Sequence, residues 1–256
     1  LAMPSIDRAE RRRIIERLRD LDLTVHTVPS MAELIDGTAQ LDEVRPIDIE
    51  DLLGRDVVEP HRELLDRCIA GRVVLVSGAG GSIGSELCRQ ILRLKPRRLI
   101  LLERSEVALY DIDSELNEIL AAEQLDVDLV PVLGSAGDST RIRALLRSFV
   151  VDTVYHAAAY KHVPLVEYNL SEGVRNNVLT TQVLAEAAGE AGVSAFVFIS
   201  TDKAVRPTNT MGASKRLAEL VLQGLQHRLP DTRFCMVRFG NVLASSGSVV
   251  PRFKSQ

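Results

Sequence analysis

A doubly wound α/β fold built on a parallel sheet is what this sequence predicts, and three observations predict it. From Arg72 onward six short apolar runs lack polar alternation, stretches of helical spacing join them, and a glycine-rich turn stands between the first run and the first helix. Strands that are apolar on both faces belong to a sheet covered by helices on both sides. A length of 256 residues, 46% of them hydrophobic, with a mean hydropathy of +0.07, is enough for one large domain plus a remnant.

The chain opens with "RAERRRIIERLRD", where Ile14, Ile15 and Leu18 share one helical face, followed by the strand-like "LDLTVHTVP". This helix–strand pair lacks partners, so residues 1–45 are expected to be the tail of a preceding α/β unit and its linker, with residues 46–256 forming the main domain. The Arg11–Arg13 run is flanked by Glu10 and Glu16 and reads as a solvated helix face. "RPIDIEDLLGRD" serves as a connector. The strands follow as "RVVLVS", "RLILLE", "VDLVPVL", "VDTVYHAA", "AFVFIS" and "RFCMVRFG". Between the first two, Ile83, Leu87 and Ile91 recur at helical spacing; between the next two, Leu109, Ile112, Leu116 and Ile119 do the same.

"SGAGGSIGSEL" places Gly78, Gly80, Gly81 and Gly84 directly after the first strand and into the first helix. Gly78 allows a sharp turn, Gly81 a close approach of a pyrophosphate, and Gly84 tight helix–strand packing, while the amides of Ser82 and Ile83 open the helix N-terminus toward phosphates. Nineteen residues after Gly84 the second strand ends in Glu103, a carboxylate suited to ribose hydroxyls and hostile to a 2′-phosphate. NAD is therefore expected in preference to NADP, although Arg104 next door is able to pair with such a phosphate. Ser135 follows the third strand. Ala157, Ala158 and Ala159 follow the fourth, small enough for the backbone to pass beneath a dinucleotide or simply to pack closely.

A net charge of −4 with interleaved acids and bases provides no basic field for nucleic acid. Cys68, Cys88 and Cys235 form no CxxC pair and read as reduced thiols, so no metal site is expected. No run of about 18 apolar residues and no signal-peptide pattern occurs, so no membrane span is expected in this chain and a cytoplasmic setting is.

Five motifs in order, "GAGGSIGSELCRQI", "LLERSEVALYDIDSEL", "HAAAYKHVPLVE", "STDKAVRPTNTMGASKR" and "RFGNVLASSGSVVPRFK", resemble the long, membrane-anchored bacterial UDP-N-acetylglucosamine 4,6-dehydratases of the polysaccharide-biosynthesis family, extended short-chain dehydrogenases. The resemblance covers about residues 45–256. It implies oxidation of a UDP-N-acetylhexosamine at C4 by NAD, loss of water across C5 and C6, and return of the hydride to C6, in the synthesis of capsule, lipopolysaccharide O-antigen or a related glycan. It also implies a homo-oligomer and a membrane-anchored, cytosol-facing parent protein.

Oxidation at C4 acidifies the C5 proton, so a base near C5 and an acid near the C6 hydroxyl are required together. The resemblance gives these roles to Lys203 and Asp202, which follow Thr201 at the end of the fifth strand. Lys203 must act uncharged, so its surroundings have to lower its pKa from about 10.4 against the pull of Asp202. Met211 stands four residues before Lys215, where short-chain dehydrogenases usually carry a tyrosine; Lys215 keeps its place toward the nicotinamide ribose. With no phenol at that position, the C4 hydroxyl proton is expected to pass through Thr201 to Asp202, with Tyr160 as an alternative phenol. The resemblance assigns Lys161, Asn177, Asn241, Ser246, Gly247 and Ser248 to the sugar nucleotide. The sequence departs from the family at Ser135, usually aspartate, and at Thr180, often glycine. A 4-epimerase, or a dinucleotide-binding module without turnover, are the alternative readings.

Overall fold

The structure, a computed structural model, describes residue 3 and residues 8–19, 26–28, 45–46, 61–240 and 242. The chain divides into two units, Leu1–Pro60 and His61–Gln256. In the first, helix α1 (Arg8–Arg19) buries Ile15, and the short strand β1 (His26–Thr27) pairs antiparallel with β2 (Arg45–Pro46). The expected strand thus has a partner, drawn from the start of the connector.

The second unit begins with helix α2 (Arg62–Ile69), whose Cys68 carbonyl accepts a hydrogen bond from Thr153 Oγ1 at 2.8 Å. Alternation then proceeds through β3 (Val73–Ser77), α3 (Ser82–Arg93), β4 (Arg98–Glu103), α4 (Glu106–Ala122), β5 (Asp128–Leu133), α5 (Ser139–Phe149) and β6 (Thr153–His156). Short helices α6 (Val163–Tyr168) and α7 (Leu170–Val174) run into a π-turn at Arg175–Leu179 and helix α8 (Thr180–Glu190). Strand β7 (Ala195–Ile199), helix α9 (Thr210–Arg228) and strand β8 (Arg233–Val237) follow.

All six large-unit strands are parallel, in the order β5-β4-β3-β6-β7-β8. Alternate residues of β3 feed two apolar layers. Val73 and Leu75 join Ile100, Val154, Leu184 and Phe198 on one face; Val74 and Val76 join Ile91, Leu92, Leu99 and Leu116 on the other. Within the helices Leu109, Ile112 and Leu116 are buried as their spacing predicts, whereas Ile83 lines a cavity.

The two edge strands depart from the expectation of burial on both faces: in β8, which pairs with β7, Arg233 and Val237 are exposed. Among the described residues β5 pairs with β4 alone, and its residues are half-buried or exposed, with Leu133 43% accessible. An edge strand tolerates Pro131, which supplies no amide to a further neighbour.

Chain reversal from β3 to β6 across the sheet creates a topological switch point at their carboxyl ends, where open α/β sheets bind ligands. The same end of the sheet is braced by Glu219 of α9, which is fully buried. It accepts hydrogen bonds from Ser200 Oγ at 2.6 Å, Arg216 at 2.9 Å and Arg238 Nε at 2.8 Å. Burial alone raises its pKa, but the donors from Arg238, Ser200 and Arg216 outweigh it and leave the carboxyl at about 2. Breaking a buried ion pair from one side costs about 3–5 kcal/mol. Because both arginine side chains are 37% exposed and rehydrate, Glu219→Ala is expected near the lower end, about 3 kcal/mol in urea unfolding. A loss below ~1 kcal/mol would remove Glu219 as the brace.

Candidate active site

Gly78 turns the chain with φ +70, and a Cβ there would lie 2.7 Å from the backbone of Ala158. Only glycine combines that left-handed conformation with so close an approach. At Gly84 a Cβ would strike the Gly78 carbonyl oxygen, so α3 rests directly on the turn with Gly81 as its N-cap. Glu103 Oε2 accepts from the Gly80 amide at 3.2 Å, and Oε1 accepts from Arg104 and Ser105 amides at 2.8 and 3.0 Å. The carboxylate is thereby fixed beside the turn.

Two cavities open here. The larger, about 690 Å³, is lined by Gly80–Gly84 and by residues after β6 and β7; the smaller, about 240 Å³, is lined by Glu103, Arg104, Ser135, Ala157–Ala159 and Thr180. Gly81, Ala157, Ala159 and Tyr160 belong to both. A cradle that any Cβ would fill, the positive end of a twelve-residue helix and a fixed carboxylate at the second strand fit a dinucleotide. Ser135 Oγ accepts from the Gly137 amide at 3.1 Å and remains on the smaller cavity's wall.

The tripeptide sits where the sheet delivers it. After β7, Thr201 caps a short 3-10 turn (Asp202–Ala204), its Oγ1 accepting from the Lys203 amide at 3.3 Å and donating to Asp202 Oδ1 at 3.0 Å. Lys203 Nζ donates to the same Oδ1 at 3.2 Å. The hydroxyl of Thr201 and then Lys203 hold the Asp202 carboxyl below the usual carboxylate range. Thr201, Lys203, Met211 and Lys215 all line the larger cavity, with the Asp202 carboxylate exposed beside them.

Helix α9 begins at an Asn209 cap whose Oδ1 accepts from the Gly212 amide at 2.8 Å. A Cβ on Gly212 would collide with the Lys203 carbonyl oxygen, so the helix passes directly under the tripeptide. Met211 and Lys215 share one helical face, as their spacing predicts, and both are buried. Lys215 Nζ donates to the Ile199 carbonyl at 2.6 Å and lies 4.0 Å from the Phe198 ring centroid. Burial, partly opposed by Glu219, pushes its pKa down to about 7. The burial expected around Lys203 is therefore found at Lys215: the Lys203 side chain is 34% exposed and paired with Asp202.

Beneath the cavities runs a buried polar chain that sequence reasoning missed. Ser77 Oγ and His156 Nδ1 are 2.6 Å apart, His156 Nε2 and Thr181 Oγ1 3.0 Å, and Thr181 donates to the Asn177 carbonyl at 2.7 Å. Thr181 has spent its proton, so His156 Nε2 donates and Nδ1 accepts from Ser77. Asn177, expected on the sugar nucleotide, is instead 1% exposed. Its Oδ1 accepts from the Tyr160 amide at 2.8 Å, and its Nδ2 donates to the Tyr160 carbonyl at 3.1 Å and Ser214 Oγ at 3.0 Å. The π-turn at Arg175–Leu179 carries this residue. Lys161 lines the larger cavity. Tyr160 accepts from Arg104 at its hydroxyl. Asn241, Ser246, Gly247 and Ser248 lie outside the described residues.

Burial and the nearby Lys215 charge lower the His156 pKa to about 3. The unfolded chain, with an ordinary histidine at 6.5, binds the extra proton first. Stability contributed by the neutral ring is therefore complete above about pH 6.5 and falls by up to about 1.4 kcal/mol per pH unit as pH drops toward 3. Urea unfolding at pH 7 and 5 checks this, and His156→Gln, which does not titrate, should flatten the dependence.

The profile of the family described as "Polysaccharide biosynthesis protein" matches residues 74–256. The chain belongs to this family. Among its family relatives is the capsular polysaccharide biosynthesis protein CapD of Staphylococcus aureus, 43% identical over all 256 residues and 42% of that protein's length. A UDP-N-acetylglucosamine 4,6-dehydratase (inverting) of Campylobacter jejuni is 34% identical over 187 residues, 72% of this chain and 53% of that protein. UDP-glucose 4-epimerases occur among the relatives too. Among solved structures, DesIV, a dTDP-glucose 4,6-dehydratase from Streptomyces venezuelae with NAD and TYD bound, superposes with a TM-score of 0.54 at 27% identity, over 64% of this chain and 54% of that one. This family member spans about half the length of the curated relatives it matches. Among its described residues no helix is long and apolar enough to cross a membrane, and no group of three metal-ligating side chains occurs.

Proposed function

We infer that this chain carries the cofactor site and acid–base residues of an NAD-dependent UDP-N-acetylglucosamine 4,6-dehydratase serving surface-polysaccharide synthesis. The observation that carries the reading is the hydrogen-bonded Thr201–Asp202–Lys203 turn at the larger cavity, beside Lys215 and facing the glycine turn. An epimerase also begins at C4, but needs no acid and base placed side by side for C5 and C6.

The glycine turn and the α3 N-terminus would hold the pyrophosphate, Glu103 the adenosine ribose and Lys215 the nicotinamide ribose. NAD, when bound, supplies a hydride acceptor that later returns the same hydride. Thr201 takes the proton of the C4 hydroxyl and passes its own to Asp202 across 3.0 Å, which replaces the missing phenol at Met211. Asp202, now protonated, gives that proton to the C6 hydroxyl as it leaves as water. Lys203, acting uncharged, removes the C5 proton and restores it when C6 is reduced. The electron and proton count closes on the loss of one water.

Incubation of the protein with UDP-N-acetylglucosamine and NAD, followed by mass spectrometry, tests the reading. It predicts a product lighter by one water. A product of unchanged mass with inverted C4 would establish the epimerase instead, and cofactor binding with no product would leave a binding module.

A further inference from the structure

Arg104 follows β4 and Tyr160 follows β6, the two strands on either side of β3. Their side chains nevertheless meet. Arg104 Nη2 donates to Tyr160 Oη at 2.7 Å, and the guanidinium carbon lies 5.4 Å from the centroid of the tyrosine ring. A link between the strands that flank β3 has to pass across the carboxyl end of β3, where the glycine turn stands. The phenol also lies 3.5 Å from Glu172 Oε1, a longer contact in which Tyr160 is the donor, its oxygen already accepting from Arg104.

Cavity membership places the link in the same way. Arg104 lines only the smaller cavity, Glu172 only the larger, and Tyr160 both. A dinucleotide with its pyrophosphate at the α3 N-terminus extends from one cavity into the other past this residue. We propose that the Arg104–Tyr160 pair is a clasp across the crevice, which opens to admit the dinucleotide and closes to retain it. The proposal rests on the dinucleotide reading of the glycine turn. Asn177 fixes the Tyr160 backbone through both its amide and its carbonyl, so opening is confined to the two side chains, of which Arg104 is solvent-exposed. A reaction that returns its hydride has no need to exchange the cofactor in each turnover, and a clasp suits it.

Stopped-flow fluorescence of NADH binding to the whole protein tests the clasp. Tyr160→Phe keeps the ring and removes the hydrogen bond; Arg104→Ala removes both contacts. One such hydrogen bond with its cation–π contact is expected to slow exchange about five- to tenfold. Arg104→Ala should therefore take up and release NADH about five- to tenfold faster and Tyr160→Phe, which keeps the cation–π contact, about two- to fivefold faster, with the dissociation constant changed less than either rate. Unchanged rates would overturn the clasp, as would faster release with unaltered uptake, which marks a simple ligand contact. Failure of the unmutated protein to bind NADH would overturn the dinucleotide reading along with it, so the two failures are distinguishable.

Discussion

Asp202→Asn is expected to abolish both hydride removal at C4 and loss of water, lowering product formation on the order of a thousandfold or more. The carboxylate accepts from Thr201 at 3.0 Å and from Lys203 at 3.2 Å through one oxygen. In the proposed sequence it is first a proton acceptor and then a proton donor, and an amide does neither. With Met211 in place of the usual phenol, the Asp202 carboxylate is the acceptor among the described residues to which Thr201 Oγ1 donates. Reduced-nicotinamide absorbance after mixing with UDP-N-acetylglucosamine and NAD separates the two roles. The Asn variant should produce none. If it accumulates reduced cofactor at the wild-type rate, the relay through Asp202 is wrong and its part is confined to the elimination.

Lys203→Met should give the opposite pattern. Oxidation at C4 leaves the lysine idle, so reduced cofactor forms within about tenfold of the wild-type rate, while dehydrated product falls on the order of a thousandfold. The C5 proton should also cease to exchange with deuterated water. A variant whose product formation and pH profile match those of the wild type would exclude Lys203 as the base. Methionine is unbranched and close to lysine in length, and it replaces a side chain that lines the cavity and is 34% exposed.

How far these roles were legible in the sequence depends on the scale of the interaction. The four inner strands of the large sheet are apolar because both faces are covered, and a run such as "VVLVS" carries that information locally. β5 is built from similar residues yet lies at the edge, and Pro131 within its run is the local signal that could have said so. Glycine spacing located the turn because the backbone conformation at Gly78 and the contact with Ala158 exclude any side chain. The Met211–Lys215 face was equally readable, being a matter of helical period. Asn177 was not. A π-turn shifts the helical register by one residue and turns its amide inward onto Tyr160, so a residue that looked like a ligand contact is a structural clamp. Lys215 is the lysine that packing buries and whose pKa that burial lowers, because depth below a cavity floor is a property of packing. The links Arg104–Tyr160 and Glu219–Arg238 join residues 56 and 19 apart and arise only once the sheet order is fixed.

The central claim is that a single bound dinucleotide beside Thr201–Asp202–Lys203 moves one hydride from C4 to C6 of the same sugar. UDP-N-acetylglucosamine carrying deuterium at C4 tests it directly, with NMR of the product reporting the position of the label. Deuterium at C6 of a 4-keto-6-deoxy sugar is the predicted result. Deuterium still at C4, or its loss to water, would contradict the account.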